Sequence, residues 1–186
     1  MDAARAILDG GAPYMQIRAK HLPSSAFLRL CDTVVRVAES YPTTIIINDR
    51  ADLVLMCGAA GKHVGQEDLA PTDVRRLLGP TTVIGYSTHT RAQLEAASAE
   101  PITYVAVGPV FGTLTKATGY EPVGLAMVAE AVRLSKGLPV VAIGGITLET
   151  APEVIAAGAS GVAVISDLFV GGDPSARVAA YGLALR

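Results

Sequence analysis

A chain of 186 residues is long enough for a substantial core, and 51% of it is apolar while only 17% is charged, which excludes a disordered or solvating protein. The net charge is −2 and no basic stripe stands out, so nucleic acid is not an expected partner. No apolar run approaches the roughly 20 residues of a membrane span, and Met1-Asp2-Ala3-Ala4-Arg5 opens no apolar signal segment, so no membrane partner and a cytoplasmic location are expected.

Asp2–Gly10 reads as a helix that feeds the first strand, Pro13–Arg18. Further strands are expected at Thr43–Asn48, Gly61–Gly65, Thr82–Tyr86, Thr103–Val107, Pro139–Ile143 and Gly161–Ile165. Thr44–Ile47, Val140–Ile143 and Val162–Ile165 are continuous rather than alternating in hydrophobicity. Strands buried on both faces of a parallel sheet read this way. Between them lie amphipathic segments. Ser25–Glu39 places Leu28, Cys31, Val35 and Ala38 on one stripe, and Leu125–Lys136 and Leu148–Ala157 repeat the pattern. Cys31 and Cys57 sit in such stretches and read as buried free thiols rather than a disulfide.

Strand starts recur about every 20 residues, as in repeated βα units. No linker divides the chain, which predicts a single domain over residues 1–186. Two architectures fit: a (β/α)8 TIM barrel and an open doubly wound sheet. Even spacing and late glycine-rich turns favour the barrel. Only seven strands are visible, so a full barrel needs another before Met1; the predicted barrel lacks its first strand. Its two open edges invite pairing, which leaves room for a homo-oligomer.

Active groups in parallel α/β folds gather at the C-terminal ends of strands, and polar clusters lie there. Gln16, Arg18 and Lys20 alternate onto one side of the first strand end. Asn48-Asp49-Arg50 and His63-Val64-Gly65-Gln66-Glu67-Asp68 follow the next two. Asp49 and Asp68 suit a hard cation such as Mg²⁺, which takes one or two carboxylates and leaves its other positions to water and phosphate. They would equally serve as helix caps, and His63 as a core histidine. Ser87 or Thr88 either caps a helix or, in the case of Ser87, meets a ligand. Gly108–Lys116 combines glycines, Thr113, Thr115 and Lys116, chemistry that suits a phosphate or pyrophosphate. Gly144, Gly145 and Ser166 end the last two strands, where barrels often bind phosphate. There is no CxxC, HExxH or GxGxxG motif and no reasoned Ser/His/Asp triad.

The ordered set of these motifs, Gln16–Lys20, Asn48–Arg50, His63–Asp68, Ser87-Thr88-His89, Gly108–Lys116, Ala142–Ile146 and Val164–Ser166, resembles the thiamine-phosphate synthase family across nearly the whole chain. The resemblance implies a (β/α)8 barrel and a Mg²⁺-dependent transferase of thiamine biosynthesis. Such an enzyme joins 4-amino-5-hydroxymethyl-2-methylpyrimidine diphosphate to 4-methyl-5-(2-phosphoethyl)-thiazole, releasing thiamine phosphate and pyrophosphate. It implies Asp49 and Asp68 as metal ligands. It implies Arg18, Lys20, Asn48, Ser87 and Lys116 on the pyrimidine diphosphate, and Gln16 on the pyrimidine. Thr113, Thr115, Gly145, Ile165 and Ser166 are implied on the thiazole phosphate. Lys116, Ser87 and Arg18 are the candidate catalytic residues. Ala19 stands where many members carry glutamate, and Gly112 where many carry proline. The other readings are a related thiazole-phosphate aromatase, a Schiff-base enzyme using Lys116, and a non-catalytic barrel that binds thiamine phosphate.

Overall fold

The computed structural model describes residues 1–112 and 120–185. Strands and helices alternate along the chain. The order is α1 (Asp2–Asp9), β1 (Tyr14–Ile17), α2 (Ser24–Ala38), β2 (Thr44–Asn48), α3 (Ala51–Cys57), β3 (Gly61–Val64), α4 (Pro71–Leu78) and β4 (Val83–Thr88). It continues with α5 (Arg91–Ala97), β5 (Tyr104–Val107), α6 (Gly124–Leu134), β6 (Val140–Ile143), α7 (Ala151–Ala156) and β7 (Gly161–Ala163). A short 3-10 helix (Ser166–Phe169) and α8 (Pro174–Ala184) follow. Helix starts carry local signals. Pro71 and Pro174 occupy first-turn positions whose N–H has no intrahelical partner in any case. Thr90 and Asp173 cap α5 and α8 with their side chains.

Among the described residues the seven strands are all parallel and hydrogen-bonded in strict chain order, β1 to β7. A doubly wound sheet reverses its strand order at a switch point. This sheet does not, so the architecture is that of the (β/α)8 barrel, with seven of its strands among the described residues. The gap lies between β1 and β7, the two ends of the sheet, and α1 packs against α8 across it.

Two apolar clusters form between the sheet and the helices. One gathers Met15 and Ile17 of β1 with Phe27, Cys31 and Val34 of α2. The other gathers Val64, Ile84, Val105 and Val107 with Val74, Leu94 and Val128 of the helices. The buried stripe of α2 is Phe27, Cys31, Val34 and Ala38, so Leu28 and Val35 stand beside the seam rather than on it. Phe27 anchors the rotation, because its ring is the largest apolar group in the first two turns. Cys31 is fully buried and Cys57 only partly; both are free thiols. β7 ends at Ala163, short of the expected Ile165, because Ser166 already begins the 3-10 helix.

Candidate active site

The alternation of β1 decides which of its side chains reach the site. Met15 and Ile17 are buried under α2, which turns Gln16 and Arg18 to the opposite, solvent-exposed face. Lys20 follows in the loop, with Nζ 3.1 Å from Oδ2 of Asp49. Asn48 ends β2 as a buried residue in register with His63. Asp49 adopts φ 61°, a left-handed conformation that is uncommon outside glycine, and its N–H donates to the carbonyl of His63 at 2.9 Å. Lys20, Asn48 and Asp49 line a cleft of ≈ 230 Å³ together with Phe27 and Arg50. Arg50 itself is turned to scaffolding, donating to Asp52 at 2.8 Å and to Ser24 at 3.0 Å.

Asp49 and Asp68 come together, close enough for each carboxyl group to shift the other's titration. Neither caps a helix: the positions before α3 and α4 are Arg50 and Ala70, without side-chain caps. The Asp68 carboxylate instead accepts the N–H of Gly65 at 2.7 Å, closing its own turn. Burial pushes both acids up. For Asp49 that push is outweighed by Lys20, by Asp68 and, least, by Arg18, which together hold it below the usual carboxylate range. For Asp68 burial is reinforced by Asp49, and its carboxyl rises. Two such groups this close need a shared proton or a cation between them. Among the described residues no cluster of three or more His, Cys, Asp or Glu forms. The donor set therefore fits a hard cation that takes two carboxylates and completes its shell with water and phosphate.

Beside the pair runs a hydrogen-bonded chain. Ser87 Oγ lies 2.7 Å from Nε2 of His63, whose Nδ1 lies 2.9 Å from the Tyr104 hydroxyl. Gly85 makes room for it: a Cβ there would fall 2.1 Å from the Tyr104 ring and 2.5 Å from His63 Nδ1. Thr90, not Ser87 or Thr88, caps the next helix; the Thr88 hydroxyl is spent on the carbonyl of Ala106 at 2.8 Å. Gln66 donates to the carbonyl of Ser87 at 2.7 Å and ties the Asp68 turn to β4. His89 stacks on Tyr120 with ring centroids 4.1 Å apart.

Thr113, Thr115 and Lys116 lie outside the described residues. Ahead of them, the N–H groups of Val110 and Phe111 donate to the carbonyls of Ile143 and Gly144 at 2.9 and 3.0 Å. Gly144 and Gly145 both take positive φ, 102° and 64°. A Cβ on Gly145 would meet the Gly112 carbonyl at 2.4 Å, so the glycine pair also serves close backbone packing. Ile165 and Ser166 are exposed at the end of β7. Asp167, next to them, is buried and accepts from Nε and Nη2 of Arg177 at 3.0 Å each, from the Tyr181 hydroxyl at 2.6 Å and from the N–H of Leu148 at 3.2 Å. Its importance and that of Tyr104 escaped sequence reasoning, because each depends on partners far along the chain.

A family profile described as thiamine monophosphate synthase matches residues 1–168. The thiamine-phosphate synthase of Roseiflexus castenholzii is 40% identical over 180 residues, 97% of this chain and 78% of that protein. That of Anaeromyxobacter dehalogenans is 42% identical over 176 residues, 95% of this chain and 78% of its own. Among solved structures, a thiamine phosphate pyrophosphorylase from Pyrococcus furiosus superposes with a TM-score of 0.90 at 28% identity, covering 99% of this chain and 88% of that one. A 3-hexulose-6-phosphate synthase, at 14% identity and a TM-score of 0.71, shares the fold alone. By the family profile and the identity to these relatives, the chain belongs to the thiamine-phosphate synthase family.

Proposed function

We propose that residues 1–186 form one domain that joins 4-amino-5-hydroxymethyl-2-methylpyrimidine diphosphate to 4-methyl-5-(2-phosphoethyl)-thiazole, giving thiamine phosphate and pyrophosphate. The observation that carries this reading is the Lys20–Asp49 ion pair at 3.1 Å beside Asp68, the two acids following neighbouring strands and each shifting the other's titration. Asp49 and Asp68 would hold Mg²⁺, which when bound supplies positive charge to a departing pyrophosphate.

The chain's own groups do the rest. Arg18, Lys20, Asn48, Ser87 and Lys116 bind the diphosphate, and Gln16 orients the pyrimidine. The C–O bond to the pyrimidine methylene breaks, pyrophosphate leaves with the electron pair, and the ring amino group stabilises the resulting cation. The thiazole nitrogen then attacks it. Thr113, Thr115, Gly145, Ile165 and Ser166 seat the thiazole phosphate in line. With the Tyr104 hydroxyl donating to His63 Nδ1, Nε2 carries the proton and donates to Ser87 Oγ. That polarity leaves the Ser87 hydroxyl hydrogen for a phosphate oxygen. Lys116, Ser87 and Arg18 touch the leaving group in this scheme and are the proposed catalytic residues.

Small-molecule substrates are the proposed partners, alongside self-association at the open edges and a cytoplasmic location. Among the described residues no helix is long and apolar enough to cross a membrane. The test is turnover with both substrates and Mg²⁺, read as the fluorescent oxidation product of thiamine phosphate. Product should vanish with EDTA and fall on the order of 10²- to 10³-fold in Asp68→Asn. A folded chain that makes no product from both substrates would overturn the reading.

A further inference from the structure

The thiazole phosphate seat of this scheme lies between two turns, residues 144–149 after β6 and residues 165–167 after β7. Neither turn has a lysine or an arginine, and each ends in an acid, Glu149 and Asp167. Asp167 directly follows Ser166, so their Cα atoms are about 3.8 Å apart. An unpaired carboxylate next in sequence to a phosphate ligand acts on the scale of the roughly 8 Å screening length and would repel the phosphate.

Both acids are answered by one residue of α8. Arg177 donates from Nε to Oδ2 and from Nη2 to Oδ1 of Asp167, each at 3.0 Å, a two-pronged pairing in which the planar guanidinium matches the carboxylate. The same Nη2 reaches Oε1 of Glu149 at 3.4 Å. The side chains of Arg177 and Asp167 are only 18% and 9% exposed, whereas that of Glu149 is 72% exposed. Water screens Glu149 unaided; it does not screen Asp167. Cancelling the charge of Asp167 therefore falls to Arg177.

Asp167 also fixes position. Its Oδ2 accepts the Tyr181 hydroxyl at 2.6 Å and the Leu148 N–H at 3.2 Å, which ties the β7 turn to the β6 turn. The β6 turn is closed on itself, with the Thr147 N–H donating to Thr150 Oγ1 at 3.0 Å. Ile146 is buried in the core, so the anchor at Leu148 is carried back to Gly145.

We propose that Arg177 is a positioning residue for the second substrate: it cancels the charge of Asp167, so that Asp167 holds the two turns together without repelling the phosphate they seat. The proposal rests on the reading of Gly145, Ile165 and Ser166 as that seat. Arg177 acts on the phosphate through Asp167 and not by touching it.

Steady-state kinetics with each substrate varied in turn, at saturating Mg²⁺ and co-substrate, tests it. Arg177→Met removes the cation and leaves Asp167 charged. KM for the thiazole phosphate should rise on the order of tenfold, while KM for the pyrimidine diphosphate stays within about twofold. Adding Asp167→Asn to Arg177→Met removes both charges and keeps an amide oxygen as acceptor for Tyr181 and Leu148. This double variant should bring KM for the thiazole phosphate back to within about threefold of the parent value. An arginine with a merely structural role would move neither KM in folded protein, or both together, and either result overturns the proposal. A double variant as impaired as Arg177→Met places Arg177 on the phosphate itself and overturns it too. Should Arg177→Met fail to fold, the double variant decides alone, since it leaves no unpaired charge: a near-parental KM supports the countercharge and a raised one overturns it. A folded parent chain that makes no thiamine phosphate overturns the functional reading and the proposal with it, and is recognised before any substitution is made.

Discussion

Nε2 of His63 stands 2.7 Å from Oγ of Ser87, and the same ring reaches Tyr104 with its other nitrogen at 2.9 Å. An imidazole held at both nitrogens has one orientation, so the serine hydroxyl it meets is aimed rather than free to rotate. His63→Ala should therefore lower turnover about 10- to 100-fold through misplacement of Ser87. Tyr104→Phe, which frees Nδ1 but keeps the ring, should cost less. Steady-state kinetics on the two variants check the order. A Tyr104→Phe loss equal to that of His63→Ala would mean the tyrosine acts independently of the serine.

The Asp49–Asp68 pair makes a pH prediction with a definite sign. Asp49 is held below its ordinary value, chiefly by Lys20 against the pull of burial. A depressed acid contributes stability above its unfolded pKa of about 4, and that contribution is lost as pH falls through the lower folded value. Asp68 is raised by burial and by Asp49. Its contribution runs the other way: it is complete below about pH 4 and is lost as pH rises through the raised folded value. At neutral pH the pair is thus left with a repulsion that a cation relieves. Millimolar Mg²⁺ should raise the melting temperature at neutral pH and cease to do so well below pH 4. Scanning calorimetry with and without Mg²⁺ at both pH values reads this directly.

Asp167 joins the end of β7 to α8 and to the turn before α7. Its carboxylate takes Arg177 through two hydrogen bonds, the Tyr181 hydroxyl and the Leu148 N–H. Asp167→Ala leaves a largely buried arginine and a buried tyrosine hydroxyl without their acceptor. A buried hydroxyl left without its acceptor costs about 1–3 kcal/mol. Urea denaturation should show a loss of that size, and the exposed Ser166 beside it should lose its fixed position. In kinetics the expected trace is a raised KM for the thiazole phosphate.

Gly145 combines φ 64° with a backbone carbonyl, that of Gly112, 2.4 Å from where a Cβ would sit. Gly145→Ala must move the turn after β6 or the residue 109–112 segment. Destabilisation of about 1–3 kcal/mol is expected, together with a weaker KM for the thiazole phosphate. Gly11, which also has positive φ but open space around it, is the control. Gly11→Ala should show the conformational part of the cost alone, with KM unchanged.

The seven strands, their parallel order and the barrel-like wrap were legible because buried βα repeats write themselves locally: continuous apolar runs, glycine at the turns, and regular spacing. The strand ends were legible for the same reason, so Gln16, Arg18, Lys20, Asn48, Asp49, Asp68 and Ser87 could be placed at or just beyond them by position alone. Helix phase was less secure. The α2 stripe shifted from Leu28 and Val35 to Phe27 and Val34, since a wide apolar face leaves its best packing line to the partner surface.

Which role each polar residue plays was a tertiary decision. Asp49 and Asp68 read equally as helix caps until the folded chain put Arg50 and Ala70 at the helix starts and turned the two acids to Lys20 and the Gly65 N–H. His63 read equally as a core histidine until Ser87 and Tyr104 were found on its two nitrogens. The polarity of Asp167, 10 residues from Arg177 and 14 from Tyr181, has no local signature at all. Nor does the burial of Lys62, which any strand pattern would place on its exposed face. Apolar periodicity is a property of neighbours along the chain and can be read there. Charge pairing is a property of neighbours in space, and only the closed arrangement of strands brings those together.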